Sequence, residues 1–352
     1  MDLNNLILFF FLVTFGLFFY KYFSLFLNKF NSKLFIDDEF KKPQAFHEIS
    51  VSTYGGTGIF ISLLILCLYL FLSKQIIYYK YLSFCTLFFI LGLMEDLKFN
   101  LKPKLRLIVM TVFLIILVIS NNFYIENTGI EFLNRFLEID IFALFFICLC
   151  FLFVINGSNL IDGYNGLLSI HALIILINLF FVNYFGGNND FAFLIFSMIL
   201  ILAVFLKYNF PKAKLFLGDS GSYLLGTIIA ISTIKTSIAN PLISPFYFCI
   251  LLFYLFFEVF FSFIRKIIRE KKSPLFPDKK HLHMLVYKYL FNKNRNKSKS
   301  NYSVTLILNS IYLIMIIPSI FMMENGMFCK YYSVLLFVIY LFFYKKIHEK
   351  IK

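Results

Sequence analysis

The chain has 352 residues, of which 60% are hydrophobic and only 15% charged, with 51 Phe and a formal net charge of +14. A mean hydropathy of +0.82 is too apolar for a water-soluble globule of this size. The positive charge is spread between apolar runs, which excludes a nucleic-acid-binding surface and leaves one fold class, an all-α polytopic integral membrane protein.

A bilayer core about 30 Å thick takes roughly 20 apolar residues per helix. On that measure eleven spans follow one another, over residues 4–28, 54–73, 76–95, 104–120, 139–157, 165–185, 190–209, 219–239, 243–263, 302–323 and 327–345. The first reads as a retained helix, because no basic residue precedes it and no small-residue cleavage site follows. Residues 264–301 are basic, end in "NKNRNKSKSN", and read as a solvated strip beside anionic headgroups. The six cysteines lie mostly inside apolar runs and read as packing.

Charge gives the orientation. Lys and Arg in alternate connections number 27 in one set and five in the other. The rich set runs from Lys29, Lys33, Lys41 and Lys42 through Lys98, Lys102, Lys104 and Arg106 to the tail after Lys345. Lys and Arg mark the cytoplasmic side. The N-terminus is therefore expected outside and the C-terminus in the cytoplasm, as an odd number of spans requires.

Five stretches of unusual polar density all fall in that basic set: "KKPQAFHEISVSTYGG" (41–56), "GLMEDLKFNLKPKLRL" (92–107), "NGSNLIDGYNGL" (156–167), "KLFLGDSGSYLLG" (214–226) and "SPLFPDKKHLHMLV" (273–286). Glu95 and Asp96 could simply end a helix. Carboxylates at a helix C-terminus oppose its dipole, however, and two together repel, which makes sense where a cation or proton is handled. Asn156, Asn159 and Asp162 fall three residues apart on one helical face, so their oxygens converge. Oxygen sets of that kind suit a hard cation such as Mg²⁺, and the glycines would let a diphosphate approach the backbone. "GDSGS" lacks the ending of a phosphate-binding P-loop and sits in the wrong setting for a serine protease; Asp219 reads as a cap or metal ligand at a helix start. His281 and His283, beside Lys279 and Lys280, suit a phosphate better than zinc, since no third His or Cys is near. A secondary transporter would place its polar groups near the bilayer midplane, whereas these crowd one edge.

In order and spacing the five clusters resemble the polyprenyl-phosphate N-acetylhexosamine-1-phosphate transferase family, from Lys42 to Leu285. Asn-x-x-Asn-x-x-Asp-Gly-x-x-Gly-Leu is complete at 156–167. The resemblance implies that 1–352 form one transmembrane transferase domain, with 264–301 a cytoplasmic loop carrying the His-x-His motif. It implies an enzyme of the bacterial inner membrane, active at the cytoplasmic face. There undecaprenyl phosphate would attack the β-phosphate of a UDP-sugar with Mg²⁺, or Mn²⁺ in its place, releasing UMP. By the same resemblance Asp219 and Asn159 are the metal ligands, with Asp162 supporting them, and Asp96 with Glu95 deprotonates or positions the lipid phosphate. Lys104, His281 and His283 hold phosphates, and Asn156, Gly163, Lys42 and His47 belong to the substrate site. Partners implied are undecaprenyl phosphate, the UDP-sugar and membrane lipid, with homodimer formation left open. The chain departs from the usual pattern at Glu95 (an Asp in the family's pair), at Asn165, at Met284, and before Gly55, where a Pro is missing. The Ser-Pro-x-x-Pro-Asp preamble and His-x-His favour the branch that transfers a simple amino sugar over the phospho-N-acetylmuramoyl-pentapeptide branch.

The orientation is testable by accessibility on a cysteine-depleted background. A cysteine placed in 291–300 is expected to react with a membrane-impermeant thiol reagent only in inverted vesicles, and one at 187–189 only in intact spheroplasts. Labelling of both from the same side would overturn it.

Overall fold

The computed structural model describes residues 3–29, 35–37, 51–271, 273 and 278–351. It is all-α but for a two-residue antiparallel pair, β1 (Ile36–Asp37) with β2 (Val51–Ser52). The helices before the centre of the chain are α1 (Leu3–Lys29), α2 (Gly55–Lys74), α3 (Tyr79–Asp96), α4 (Pro103–Asn121), α5 (Glu131–Leu137), α6 (Asp140–Ile161) and α7 (Leu167–Phe185). After it come α8 (Asn189–Asn209), α9 (Gly218–Ala239), α10 (Pro245–Leu251), α11 (Phe253–Ile264), α12 (Leu282–Asn294), α13 (Lys297–Phe321) and α14 (Gly326–Ile351).

Every expected span falls on a helix or, in one case, on a helix pair. Among the described residues nine helices are long and apolar enough to cross a membrane, and the pair α10 and α11 would make ten. That pair replaces the single span expected over 243–263, and it bends by 76° at Leu252. Helix α3 falls short of the same standard because its 18 residues, about 27 Å of helix, include Lys80, Glu95 and Asp96. The strip expected over 264–301 is more structured than its composition suggests. A π-helical turn covers Arg265–Arg269, α12 buries Leu282, Met284, Leu285 and Val286, and α13 already begins at Lys297.

Helix α9 is the centre. Most of its length is buried, and it packs most extensively against α3 and α6. Small residues allow this. A Cβ on Gly56 of α2 would collide with the backbone of Gly221 in α9, so the two helices meet at backbone contact. Phe10, Phe18, Ile116 and Phe342 lie on outer faces of α1, α4 and α14, where lipid tails are the natural neighbours.

Two helix starts are satisfied by other segments of chain rather than by local side-chain caps. The first amides of α2 donate out of the helix, Gly55 N to Phe216 O at 3.0 Å and Gly56 N to Leu217 O at 2.8 Å. Phe216 N in turn donates to Ser52 O at 2.8 Å, which ties the first polar cluster to the fourth. At the start of α9, where Gly218 turns the chain with φ +78°, Asp219 N donates to Asp96 Oδ1 at 2.8 Å and Ser220 N to Asp96 Oδ2 at 2.9 Å. Asp96, the last residue of α3, is thus the cap of α9.

Asp96→Asn keeps the shape of that cap but turns one acceptor into a donor facing an N–H. The variant is expected to lose about 1.5–3 kcal/mol, the range for a hydrogen bond to a charged group, read as a lower Tm in detergent. An unchanged Tm would remove Asp96 from the role of cap.

Candidate functional site

The site forms where the C-terminal ends of α3 and α6 meet the N-terminus of α9. Asn159, in the last turn of α6, donates from Nδ2 to Asp219 Oδ1 at 2.6 Å and to Ser222 Oγ at 2.9 Å. Ser222 Oγ donates to Asp219 O at 3.1 Å, so the first turn of α9 is fixed from two sides. Asp162, the residue at which α6 ends, completes a set of three carboxylates with Asp96 and Asp219. Burial first, then the charge of Asp219, then that of Asp96 push the Asp162 carboxyl well above the ordinary carboxylate range. The carboxyl at the end of α6 is therefore held toward its protonated form unless a cation offsets its acidic neighbours.

The expected Glu95–Asp96 pair is divided by the structure. Neighbours on a helix point about 100° apart, and Asp96 turns to α9 while Glu95 turns to the α3–α4 connection. Glu95 Oε1 accepts from Leu101 N at 3.2 Å, and Oε2 lies 4.0 Å from Arg106 Nη1. Arg106, which sequence reasoning counted only as part of the basic side, also lies over the Tyr223 ring at 5.9 Å. Lys104 is exposed on the first turn of α4.

The Asn156–Leu167 stretch does several jobs. Asn156 Nδ2 donates back to Leu152 O of its own helix at 2.8 Å. Of the glycines expected to admit a diphosphate, Gly157 instead lets α6 press on α11, since a Cβ there would strike the backbone of Leu255. Gly163 alone has open space where its Cβ would be, with no atom within 4 Å. Asn165 is stapled to α13, its N–H donating to Asn301 Oδ1 at 3.0 Å and its carbonyl accepting from Thr305 Oγ1 at 2.7 Å.

The His-x-His motif comes in from the start of α12. His281 Nδ1 lies 3.1 Å from Glu258 Oε1, and His283 Nδ1 lies 3.3 Å from the Tyr254 hydroxyl. His283 is wholly buried with its ring edge-on to Tyr164 at 5.8 Å. Burial, against the opposing pull of Glu258, lowers its pKa to about 3, so the ring is neutral at physiological pH. Glu258 and Tyr254 stand inside an apolar, Phe-rich helix; the one signal that sequence offered for Glu258 was a lone charge in a span. Lys42 and His47 lie outside the described residues.

Among the described residues no three His, Cys, Asp or Glu side chains are grouped closely enough to hold a metal alone. That suits Mg²⁺ in particular, which commonly takes one or two carboxylates and completes its shell with water and substrate phosphate. Asp219 is hydrogen-bonded by Asn159 and lies close enough to Asp162 to raise its carboxyl, an oxygen-bearing set in keeping with such an ion.

Residues 78–237, the span that holds α3 to α9 and their motifs, match the profile of Glycosyl transferase family 4. The chain is 30% identical over 67% of its length to undecaprenyl-phosphate alpha-N-acetylglucosaminyl 1-phosphate transferase of Thermotoga maritima, covering 68% of that protein. It is 29% identical over 55% of its length to the probable undecaprenyl-phosphate N-acetylglucosaminyl 1-phosphate transferase of Bacillus subtilis, of which it spans 54%. A phospho-N-acetylmuramoyl-pentapeptide-transferase of Streptococcus pyogenes is 37% identical, but over only 30% of this chain and 33% of its own length. On the matched profile and a relative 30% identical over two thirds of both chains, the chain belongs to Glycosyl transferase family 4.

Proposed function

We propose that this protein transfers N-acetylglucosamine 1-phosphate, or a closely related amino-sugar phosphate, from its UDP-sugar to undecaprenyl phosphate. The observation that carries the reading is the meeting of Asp96, Asn159, Asp162 and Asp219, from three separate helices, at one end of the bundle. The glucosaminyl relatives match about two-thirds and about half of the chain, against 30% for the muramoyl-pentapeptide enzyme, which favours the simpler sugar. The site faces the cytoplasm of a bacterial inner membrane in this reading, supported by the charge asymmetry of the connections.

In the reaction an oxygen of the lipid phosphate forms a bond to the β-phosphorus of the UDP-sugar. The bond from that phosphorus to the bridging oxygen breaks, and UMP leaves with the electron pair. A monoester attacking a diphosphate gathers at least three negative charges, so neutralising and aligning them is most of the catalytic task. Mg²⁺, held by Asp219 with Asn159 and Asp162, would offset the charge that builds on the phosphates. Asn159, fixed to both Asp219 and Ser222, keeps the Asp219 carboxylate in one orientation. Asp96 is locked by two amides of α9, which suits it to place the lipid phosphate rather than to move with it. Glu95 acts at one remove, setting the α3–α4 connection from which Lys104 reaches the phosphates.

Purified protein given UDP-N-acetylglucosamine, undecaprenyl phosphate and Mg²⁺ is expected to release UMP and form lipid-linked sugar diphosphate. Asp219→Asn should lower that rate at least about a hundredfold, in the range for loss of a charged group aimed at the transition state. Its Tm should not fall, because one of three mutually repelling carboxylates is gone. Turnover within about tenfold of wild type, a gap of only 1.4 kcal/mol, would overturn the assignment of Asp219. Glu95→Asp should keep most of the rate, since its contacts lie in the connection and not at the α9 turn. A rate as low as that of Asp219→Asn would place Glu95 at the phosphates instead.

A further inference from the structure

Glu258 lies in none of the five polar clusters, yet it is only 1% exposed and gathers three donors. Its Oε1 faces His281 Nδ1 at 3.1 Å and accepts from Leu282 N at 3.0 Å. Its Oε2 accepts from the Tyr340 hydroxyl of α14 at 2.6 Å. A buried carboxylate is tolerated only when its oxygens are satisfied in this way. What it satisfies in return is the turn that carries both motif histidines.

The two histidines are not equivalent. His281 is enclosed by acids, with Glu258 at Nδ1 and Asp278 Oδ1 3.5 Å from Nε2. Asp278 is itself held by Arg265, Oδ2 to Nη2 at 2.8 Å, and Arg265 also pairs with Glu270 at 2.8 Å. Both ring nitrogens of His281 therefore face the protein. His283 stacks parallel to it, rings 5.5 Å apart and 3° from coplanar, and uses Nδ1 on Tyr254. Its Nε2 is buried with no hydrogen-bond partner in the protein. A buried polar atom left in that state calls for a ligand or water.

We propose that Glu258 is a positioning residue, which anchors the turn through His281 and Leu282 so that His283 alone presents its Nε2 to a substrate phosphate beside Tyr164. The assignment rests on the transferase reading and deepens it. Three features of the fold deliver Glu258 to this place. The 76° bend at Leu252 redirects α11, Gly157 lets α6 and α11 touch, and α14 grips at two points, the first being Tyr340 on Glu258 itself. The second grip is Tyr344, whose hydroxyl donates to Lys280 O at 2.9 Å, one turn of α14 beyond Tyr340. Helix α14 is otherwise exposed along most of its apolar length, so its inward tyrosines are its tie to the site.

The test is a double-mutant cycle in nanodiscs on Glu258→Gln, His281→Gln and the pair, with His283→Gln alongside, read as kcat and KM for the UDP-sugar and as amide hydrogen exchange over 278–287. Each single change at 258 and 281 should lower kcat about tenfold or more with KM within about threefold, and the double should be no slower than His281→Gln, because both break one contact. His283→Gln should cost more than His281→Gln. Exchange over the turn should rise in Glu258→Gln while α9 stays protected. Losses that multiply, a larger cost at His281 than at His283, or an unchanged turn would each overturn the proposal. If Glu258→Gln fails to accumulate, Tyr340→Phe removes one hydroxyl from the same carboxylate and is expected to give the same pattern in weaker form. Absence of UMP release by wild type would instead sink the transferase reading, and the exchange measurement would still decide whether Glu258 holds the turn.

Discussion

A helix end buried in protein at the edge of a membrane has no water to satisfy its first four amides. In this chain that constraint falls on α9, the most enclosed helix, and the answer is a carboxylate from another helix. Asp96 binds the amides of Asp219 and Ser220 and thereby fixes the end of α3 to the start of α9. Asn159 then reaches across from α6 to Asp219 and Ser222. The same contacts that let α9 begin inside the bundle bring three carboxylates together, so solving the backbone problem also builds the site.

The architecture was largely legible. Hydropathy put each of the eleven expected spans on a helix or helix pair, because lipid demands long apolar helices. Among the described residues only nine or ten of them meet the length and apolarity of a span. Hydropathy did not show that the span over 243–263 breaks at Leu252, since the apolar run continues across the break; α11 beyond it packs on α6. Nor could composition reveal that the basic strip contains α12, whose buried residues from Leu282 to Tyr287 sit between the basic ends of the strip and pack on α13 and α14. The charges of α3 were plain in sequence, but their effect on its length as a span shows only when its ends are known.

For the site, the motifs with fixed local spacing were legible and the partners across helices were not. Asp219 at a helix start and Asp162 at a helix end followed from their neighbours in sequence. That Asp96 and Glu95 serve different elements did not, because adjacency in sequence hides the turn of the helix between them. The glycines were read as access for substrate, whereas Gly157 serves helix contact and only Gly163 faces open space. Arg106 and Glu258 carried no motif. Each is identified by what surrounds it: a carboxylate and a ring face for Arg106, two histidine-turn donors and a tyrosine for Glu258.

The arrangement has two electrostatic halves. Around α9 the acids Asp96, Asp162 and Asp219 stand together, and burial first, then the other two acids, raises the Asp162 carboxyl. Around α12 the acids Asp278 and Glu270 are paired with Arg265 and Lys280, and Glu258 is held by His281, Leu282 and Tyr340. A satisfied polar network rigidifies the elements it joins. In the proposed reaction, ion and phosphates are assigned to the acidic half around α9. His283 of α12 lies edge-on to Tyr164, which follows Asp162 by two residues, so the proposed phosphate donor is held by the α12 network close in sequence to the end of α6.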